Sequence, residues 1–276
     1  MNIPNRKNKG NILNELNAQE LYLRNHKIHH RSIAVSRFLI LIIFLGIWEF
    51  CSRTDIIDSF FFSSPSMVLK CFWEMILDYT FFTHTGITLA ETLISFLLVF
   101  FFSMLIASLL WFRHGLSEVL EPYLVILNSL PKSALAPLFI VWLGTGTKTI
   151  IVAGISVAIF GSIINLYTGF RQVDQEKLKL IKTLGGNQWS CYTKVVLPAS
   201  VPTILSNMKV NIGLALVGVI IGEFLAARRG LGYLIIYGSQ VFQLNMVITS
   251  IIILCAIAMG LYQCIQIAEH AYKKIL

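Results

Sequence analysis

Two long apolar runs of this chain are separated by a polar stretch, which reads Gln172-Val-Asp-Gln-Glu-Lys-Leu-Lys-Leu-Ile-Lys-Thr-Leu-Gly185-Gly-Asn-Gln-Trp-Ser-Cys-Tyr-Thr-Lys-Val195-Val-Leu-Pro198. Its four lysines exclude it from a lipid environment, because an unpaired charge is costly in the bilayer. The same stretch carries start and stop signals for helices. We therefore expect a folded, water-exposed loop between two membrane helices.

The first half of the stretch predicts a short helix. Asp174 is placed to cap its first amides, and Val173 and Leu178 have the spacing of a hydrophobic staple across that cap. Gly185 is placed to end the helix, because glycine adopts the left-handed conformation that commonly follows a helix.

The second half predicts another helix, capped by Asn187. One face of this helix would carry Trp189, Tyr192, Val195 and Val196. Pro198 would then open the next membrane helix, at a position where no amide donor is needed. Two capped helices in a polar loop of a membrane protein indicate a surface on which another protein docks.

This stretch resembles the EAA loop of the permeases of bacterial ATP-binding-cassette (ABC) importers. The family pattern is E-A-A, three residues, G, nine residues, I, one residue, L-P. Gly185 and Val195 to Pro198 match its second half, whereas Lys179, Leu180 and Ile181 replace E-A-A. The resemblance implies a coupling loop, about residues 171–197, that docks an ATPase. The implied contact residues are Lys182, Thr183, Leu184, Gly185, Gly186, Asn187, Trp189, Leu197 and Pro198.

The composition indicates an integral membrane protein. The chain of 276 residues is 56% hydrophobic and only 13% charged, whereas soluble domains carry about 25% charged residues. Spans need roughly 20 mostly apolar residues, and the candidates are 35–52, 86–112, 121–144, 148–170, 200–226 and 245–268. The predicted fold class is all-α, with six transmembrane helices, a basic N-terminal tail at 1–36 and a permease domain at 37–276.

Basic residues predict the orientation of these spans. With the N-terminus inside, fifteen basic residues fall in the inner segments and five in the outer segments, and Lys132 and Lys209 lie within spans. This places both termini and the coupling loop in the cytoplasm. The net charge of +8 is spread over several loops, so it favours contact with membrane lipid over a nucleic-acid partner.

The third span is interrupted by Pro131 and Pro137, and it continues to Gly146. Two prolines would break its hydrogen-bond ladder twice, which is tolerated where the helix lines a cavity or the protein interior. Asn128, Lys132 and Ser133 are therefore candidates for a translocation path, although Lys132 could instead reach the membrane surface. The stretch from Pro131 to Gly146 is similar to the P-x-x-A-x-x-P-L-x-x-x-W-x-G-x-G segment of the nitrate, sulfonate and taurine branch of these permeases.

The fifth span adds Lys209 and Glu223 to the candidates for the path. They are fourteen residues apart, about 21 Å along one helix, so each needs another partner, and Arg228 is one candidate for Glu223. Small residues at Gly213, Gly218 and Gly222 predict a closely packed face. The segment 222–235 is similar to the G-E-F-x-A-x-x-x-G-L-G-Y-x-I segment of the family.

The resemblance covers about residues 48–268, and it identifies the chain as a member of the type I importer permeases of the nitrate, sulfonate, taurine and bicarbonate branch. It implies a pair of permease subunits, two cytoplasmic ATPases and an extracytoplasmic binding protein. No phosphate-binding G-x-x-x-x-G-K-[ST] motif is present in the sequence, so ATP and Mg²⁺ would be bound by the ATPases. We expect no catalytic residue, metal site or cofactor in this chain.

Two other interpretations remain open at this stage. A secondary transporter or channel would also need broken helices and buried charges, but it does not account for the coupling loop. A membrane-embedded enzyme would need a clustered catalytic motif, which the sequence lacks. Within the branch, the solute would be a small anion such as a sulfonate, taurine or nitrate, with a thiamine-precursor pyrimidine as the alternative.

Overall fold

The computed structural model describes residues 33, 35–54 and 56–275, and the predicted tail at 1–36 falls almost entirely outside them. The helices are α1 (Val35–Arg53), α2 (Ser59–Phe62), α3 (Pro65–Leu77), α4 (Thr80–Phe112), α5 (His114–Ser129), α6 (Lys132–Leu143), α7 (Thr147–Arg171), α8 (Gln175–Thr183), α9 (Gln188–Cys191), α10 (Leu197–Ala226), α11 (Leu231–Gln240) and α12 (Leu244–Ile275).

Five of these helical segments are long and apolar enough to cross a membrane, and α5 with α6 makes a sixth candidate. The five are α1, α4, α7, the continuous segment Gln188–Ala226, and Leu244–Tyr272. This confirms the predicted all-α class, and the bent pair α5 and α6 supplies the sixth of the six predicted spans. The second span begins at Thr80, six residues earlier than predicted, because the polar residues near its start do not interrupt the helix.

The third predicted span is bent by 94° between α5 and α6. Only Pro131 lies at this break, where Leu130 is extended before it, as expected for a residue that precedes proline. Pro137 lies inside α6 and does not end that helix. Pro137 removes a hydrogen bond from the ladder, as predicted, because proline has no amide donor, but only Pro131 lies where a helix ends.

Helices α4, α7 and α10 pack against one another, and α12 packs on α10 and α11. A Cβ atom on Gly218 would lie 2.7 Å from the Cα atom of Gly154, so α7 and α10 meet backbone to backbone. Gly222 makes a similar approach to Ile150. Gly213 has no atom within 4 Å of such a Cβ, so it does not belong to the closely packed face that the sequence predicted.

The chain divides into two compact units, Met1–Ser66 and Met67–Leu276. In the first unit, Glu49 on α1 accepts hydrogen bonds from the Ser66 amide at 3.1 Å and hydroxyl at 2.9 Å. Arg53 also donates to Glu49, at 2.7 Å. The second unit contains α4 to α12, and the candidate functional sites lie within it.

Candidate functional site

The coupling loop begins with the capped helix that the sequence predicted. The Asp174 side chain accepts a hydrogen bond from the Glu176 amide at 2.9 Å and caps α8. Val173 and Leu178, the predicted staple pair, are both buried in one apolar cluster with Leu166 and Phe170 of α7. This cluster fixes α8 against the end of α7.

Two glycines form the turn after α8. Gly185 has a φ of 82°, as predicted for the residue that ends this helix, and its amide bonds to the Lys182 carbonyl at 3.0 Å. The Gly186 amide bonds to the Ile181 carbonyl at 2.9 Å. A Cβ atom on Gly186 would lie 2.8 Å from that same carbonyl oxygen, so Gly186 is needed for space, whereas Gly185 is favoured by its positive φ.

Asn187 caps the next helix as predicted, because its side chain accepts from the Ser190 amide at 2.8 Å. Helix α9 then continues through a π-helical turn, Tyr192–Val196, directly into α10. Pro198 therefore does not open a separate membrane helix. Its ring would crowd the carbonyl of the residue four positions earlier, and the wider π turn gives that carbonyl room.

An aromatic cluster joins this turn to the end of α4. The Tyr192 ring lies 5.0 Å from the Phe112 ring and 5.9 Å from the Phe170 ring, and its hydroxyl group hydrogen-bonds to Ser108. Trp189 stacks on Phe112 at 5.9 Å but stays 62% exposed. Of the residues that the sequence placed on one face of this helix, Tyr192 and Val196 are buried, whereas Trp189 is mostly exposed.

The tip of the coupling loop carries large apolar side chains in contact with water. Leu180 is 58% exposed and Leu184 is 75% exposed. Together with Trp189, they leave three large apolar side chains exposed on an otherwise polar loop. Isolated exposed apolar residues are ordinary, but three on one short folded loop are typical of a protein-binding surface.

At the opposite end of α10, three side chains from other helices bind the start of α11. The Gly230 amide donates to His84 Nδ1 at 2.9 Å, and the Leu231 amide donates to Thr88 Oγ1 at 2.8 Å. The Gly232 amide donates to Glu223 Oε2 at 2.6 Å. The first amides of a helix lack partners within the helix, so His84, Thr88 and Glu223 together cap α11. We call these three residues the α11 clamp.

The clamp explains the burial of Glu223, which is only 1% exposed. Its other oxygen accepts from the Thr88 hydroxyl at 2.7 Å, and Glu91 lies beside it. Arg228, which the sequence suggested as a partner, forms no ion pair with Glu223 in the described part of the chain. The sequence analysis missed His84, Thr88 and Glu91. Their spacing of four and three residues on α4 was the available signal, since it puts them on one helical face.

Three of the candidate path residues lie at the bend between α5 and α6. The Lys132 ammonium group donates to the Asn128 backbone carbonyl, near the end of α5, where carbonyls lack helical partners and a cation is favoured. The Asn128 side chain faces α7, because a Cβ atom on Gly161 would lie 3.2 Å from its Oδ1. Ser133 is exposed. Lys132 therefore has a structural partner that the sequence did not indicate.

Lys209 lies away from this bend and pairs with Glu269 of α12. The two side chains are 17% and 11% exposed, and the Lys209 ammonium group lies 5.8 Å from the centre of the Tyr262 ring. The five candidate path residues therefore occupy three separate places: the bend, the α10–α12 contact and the α11 clamp. Their role in a translocation path stays a prediction.

A polar groove lies between α7 and α10 on the half that adjoins the coupling loop. Its volume is about 530 Å³, and its uncharged polar lining consists of Asn165, Thr168, Gln172, Thr203, Ser206 and Asn207. Asn165 and Thr168 of α7 and Gln172, which directly follows α7, are spaced by three and four positions, so they form one stripe along this helix. A polar stripe on a spanning helix is unfavourable against lipid, and the sequence analysis did not identify it.

Comparison with known proteins agrees with this architecture. Residues 100–268 match the family described as binding-protein-dependent transport system inner membrane component. A probable ABC transporter permease protein of Haemophilus influenzae is 31% identical over 241 residues, which are 85% of this chain and 95% of the relative. A putative aliphatic sulfonates transport permease of Bacillus subtilis is 28% identical over 78% of each chain.

A second transport permease and a solved transporter structure are also similar to this chain. The taurine transport system permease of Escherichia coli is 23% identical over 86% of this chain and 91% of the relative. Among solved structures, the inward-facing MetNI methionine ABC transporter superposes with a TM-score of 0.62 at 16% identity, covering 71% of this chain and 97% of that chain. The fold is thus that of a type I importer permease. The chain belongs to the binding-protein-dependent transport system inner membrane component family, as an ABC importer permease.

Proposed function

We propose that this permease works as one of two identical subunits that form the path of a bacterial solute importer. Two ATPases would dock on the two coupling loops and bind ATP and Mg²⁺, and a separate binding protein would deliver the solute from outside. Membership in the family supports the ATPase and binding-protein partners. The pairing with a second copy rests on the shared fold.

The observation that carries the docking proposal is the geometry of the coupling loop. Its helices are capped and held to α4 and α7 by buried residues, so force on the loop reaches the membrane helices. Leu184 and Trp189 are 75% and 62% exposed at its tip. A rigid loop with an apolar tip would transmit the closure of the ATPases to the permease.

The orientation completes this proposal. The fifteen-to-five distribution of basic residues favours a cytoplasmic coupling loop and cytoplasmic termini, in the cytoplasmic membrane of a bacterium. Single cysteines at the exposed positions Arg229 and Thr145 should react with an impermeant thiol reagent in intact cells, and one at the exposed Lys179 of the coupling loop should not. Labelling of Lys179→Cys without labelling of Thr145→Cys would overturn the orientation and the docking proposal.

The proposed solute is a small sulfonate. The Bacillus subtilis relative that is named for aliphatic sulfonates is 28% identical, and the Escherichia coli relative is named for taurine. A relative of Halalkalibacterium halodurans that is named for formylaminopyrimidine is 26% identical, and its solute is the alternative. The polar groove supports a small solute with many hydrogen-bonding atoms. It carries no charged lining residue, so an anion would be bound weakly enough to leave again.

Reconstituted transport tests the proposed function. The permease and its ATPase are reconstituted in proteoliposomes with the ATPase facing the lumen, and the binding protein and a radiolabelled sulfonate are added outside. The sulfonate should accumulate in the lumen only when the lumen contains ATP. A secondary transporter would instead accumulate solute with an ion gradient and without the ATPase. Uptake that needs no ATPase would overturn the proposal, and ATP-dependent uptake of the pyrimidine alone would replace the sulfonate.

A further inference from the structure

A second cavity lies where two membrane helices end at the coupling loop. Its volume is about 420 Å³, which is within the range of about 300–1,000 Å³ that small-molecule sites occupy. Its lining includes Trp111 in the last turn of α4, Tyr167 and Arg171 near the end of α7, and Lys182 of α8. The cavity therefore lies between the ends of two spanning helices and the loop that follows them. We call it the α7–α8 cavity.

The charges around the α7–α8 cavity favour an anion. Arg171 and Lys182 both line it and are exposed, and neither forms an ion pair with a described residue. His114 also lines the cavity, but its Nε2 lies 3.7 Å from the Glu118 carboxylate, so a charge on this ring would already have a partner. None of the described residues that line the cavity is an aspartate or a glutamate. Two cations without an acidic partner raise the local concentration of anions.

The position and the aromatic lining narrow the class of anion. The Arg171 guanidinium group lies 5.7 Å from the centre of the Tyr167 ring, so a cation–π contact holds it beside the cavity. Tryptophan and tyrosine are enriched at the level of the lipid head groups, and Trp111 and Tyr167 lie near the ends of their spans. Basic pockets between membrane helices on the cytoplasmic side bind the head groups of anionic lipids. Guanidinium and ammonium groups both form charge-assisted hydrogen bonds to phosphate oxygens.

We propose that the α7–α8 cavity binds the phosphate group of an anionic membrane lipid, with Arg171 and Lys182 as the cations that hold it. The lipid would connect α7 to α8 through charge, so it would fix the coupling loop to a spanning helix. The proposed cytoplasmic orientation decides only which leaflet supplies this lipid. The inference is independent of the solute that the permease imports.

Lipid binding to the full-length permease with its ATPase partners tests the site. In detergent, a phosphatidylglycerol with a fluorescent acyl chain is titrated, and its binding is followed by energy transfer from tryptophan. It should bind about ten times more tightly than the equally labelled phosphatidylcholine, whose choline cation neutralises the phosphate. Arg171→Gln and Lys182→Gln should each weaken phosphatidylglycerol binding about fivefold, which corresponds to the loss of one cation beside an anionic lipid.

Two substitutions separate the site from general attraction and from lost folding. Lys177 is also an exposed lysine of α8, but it does not line the cavity. Lys177→Gln removes the same charge as Lys182→Gln and should leave lipid binding unchanged. Arg171→Lys keeps the cation and should retain most of the binding, so it distinguishes a lost charge from a lost fold.

Several outcomes would overturn the site: equal binding of the two lipids, equal losses in Lys177→Gln and Lys182→Gln, or full binding when Arg171→Gln and Lys182→Gln are combined. Inorganic phosphate is added as a competitor, and it should displace the lipid poorly because it has no acyl chains. Displacement by inorganic phosphate at the same concentration as unlabelled phosphatidylglycerol would overturn the lipid assignment and give the cavity to a free phosphate.

Discussion

The Glu223 carboxylate at the end of α10 accepts a 2.6 Å hydrogen bond from the amide of Gly232, the second residue of α11. The Glu223 side chain is buried, and it lies at the start of α11, where the first amides have no partner within the helix. The spacing of Gly222-Glu223 and Gly230-Leu-Gly232 in the sequence therefore encodes one capped junction between two helices.

Gly232→Ala should destabilise the protein by about 1–3 kcal/mol, because overpacking forces neighbouring atoms to move. An added Cβ would lie 2.8 Å from Glu223 Oε2 and 2.9 Å from Glu223 Cβ. Thermal unfolding of the purified protein, followed by tryptophan fluorescence, measures the effect. Gly260→Ala is the matched control, since no atom lies within 4 Å of its added Cβ, and equal unfolding temperatures for the two variants would contradict the clamp.

Thr88→Val should cost about 1–3 kcal/mol, because it removes the hydroxyl group that accepts from the Leu231 amide and leaves that buried amide without this partner. Thr92, one turn along α4, is also fully buried, and its hydroxyl has no partner among the described residues. Thr92→Val should therefore be neutral or stabilising. The two unfolding temperatures are compared directly, and a larger loss in Thr92→Val would refute the role of Thr88.

Gly185→Val should release the ATPase from the membrane complex. A β-branched residue at a φ of 82° costs about 1–2 kcal/mol, and this strain distorts the turn between α8 and α9. Gly185→Asn is the control, because asparagine tolerates the left-handed conformation. Co-purification of the ATPase with each variant is measured, and normal ATPase binding and transport in Gly185→Val would rule out the coupling role.

Lys209→Met should destabilise the protein by about 3–5 kcal/mol, because it removes one partner of a largely buried ion pair. Glu269 is only 11% exposed. The double variant Lys209→Met with Glu269→Gln should recover most of the loss, since both charges are then absent. Unfolding of the single and double variants gives the comparison, and additive losses would show that the two residues are not coupled.

Lys132→Met should lower solute uptake while the protein stays folded and the ATPase stays bound. The variant removes the cation that binds the Asn128 carbonyl at the bend of α5 and α6, so the bend loses its fixed geometry. Lys132→Arg should retain uptake, because a guanidinium group also donates to carbonyls. Unchanged uptake in Lys132→Met would make the residue a surface charge without a transport role.

The features that the sequence determined are local in the chain. Composition and apolar run length identified the membrane class and the spans, and the caps at Asp174 and Asn187 and the turn at Gly185 followed from residues a few positions apart. Such signals act through contacts within one or two helical turns. These local features therefore do not depend on how the distant parts of the chain pack.

The features that only the tertiary structure decided are pairings between distant residues. Thr88 and Leu231, Lys209 and Glu269, and Asn207 and Ser162 each lie at least 45 positions apart. Which residues meet depends on the rotation and the relative shift of packed helices, and these follow from close contacts such as that of Gly154 with Gly218. The sequence indicated that Lys209 and Glu223 need partners, but which residues pair with them depends on how the helices pack.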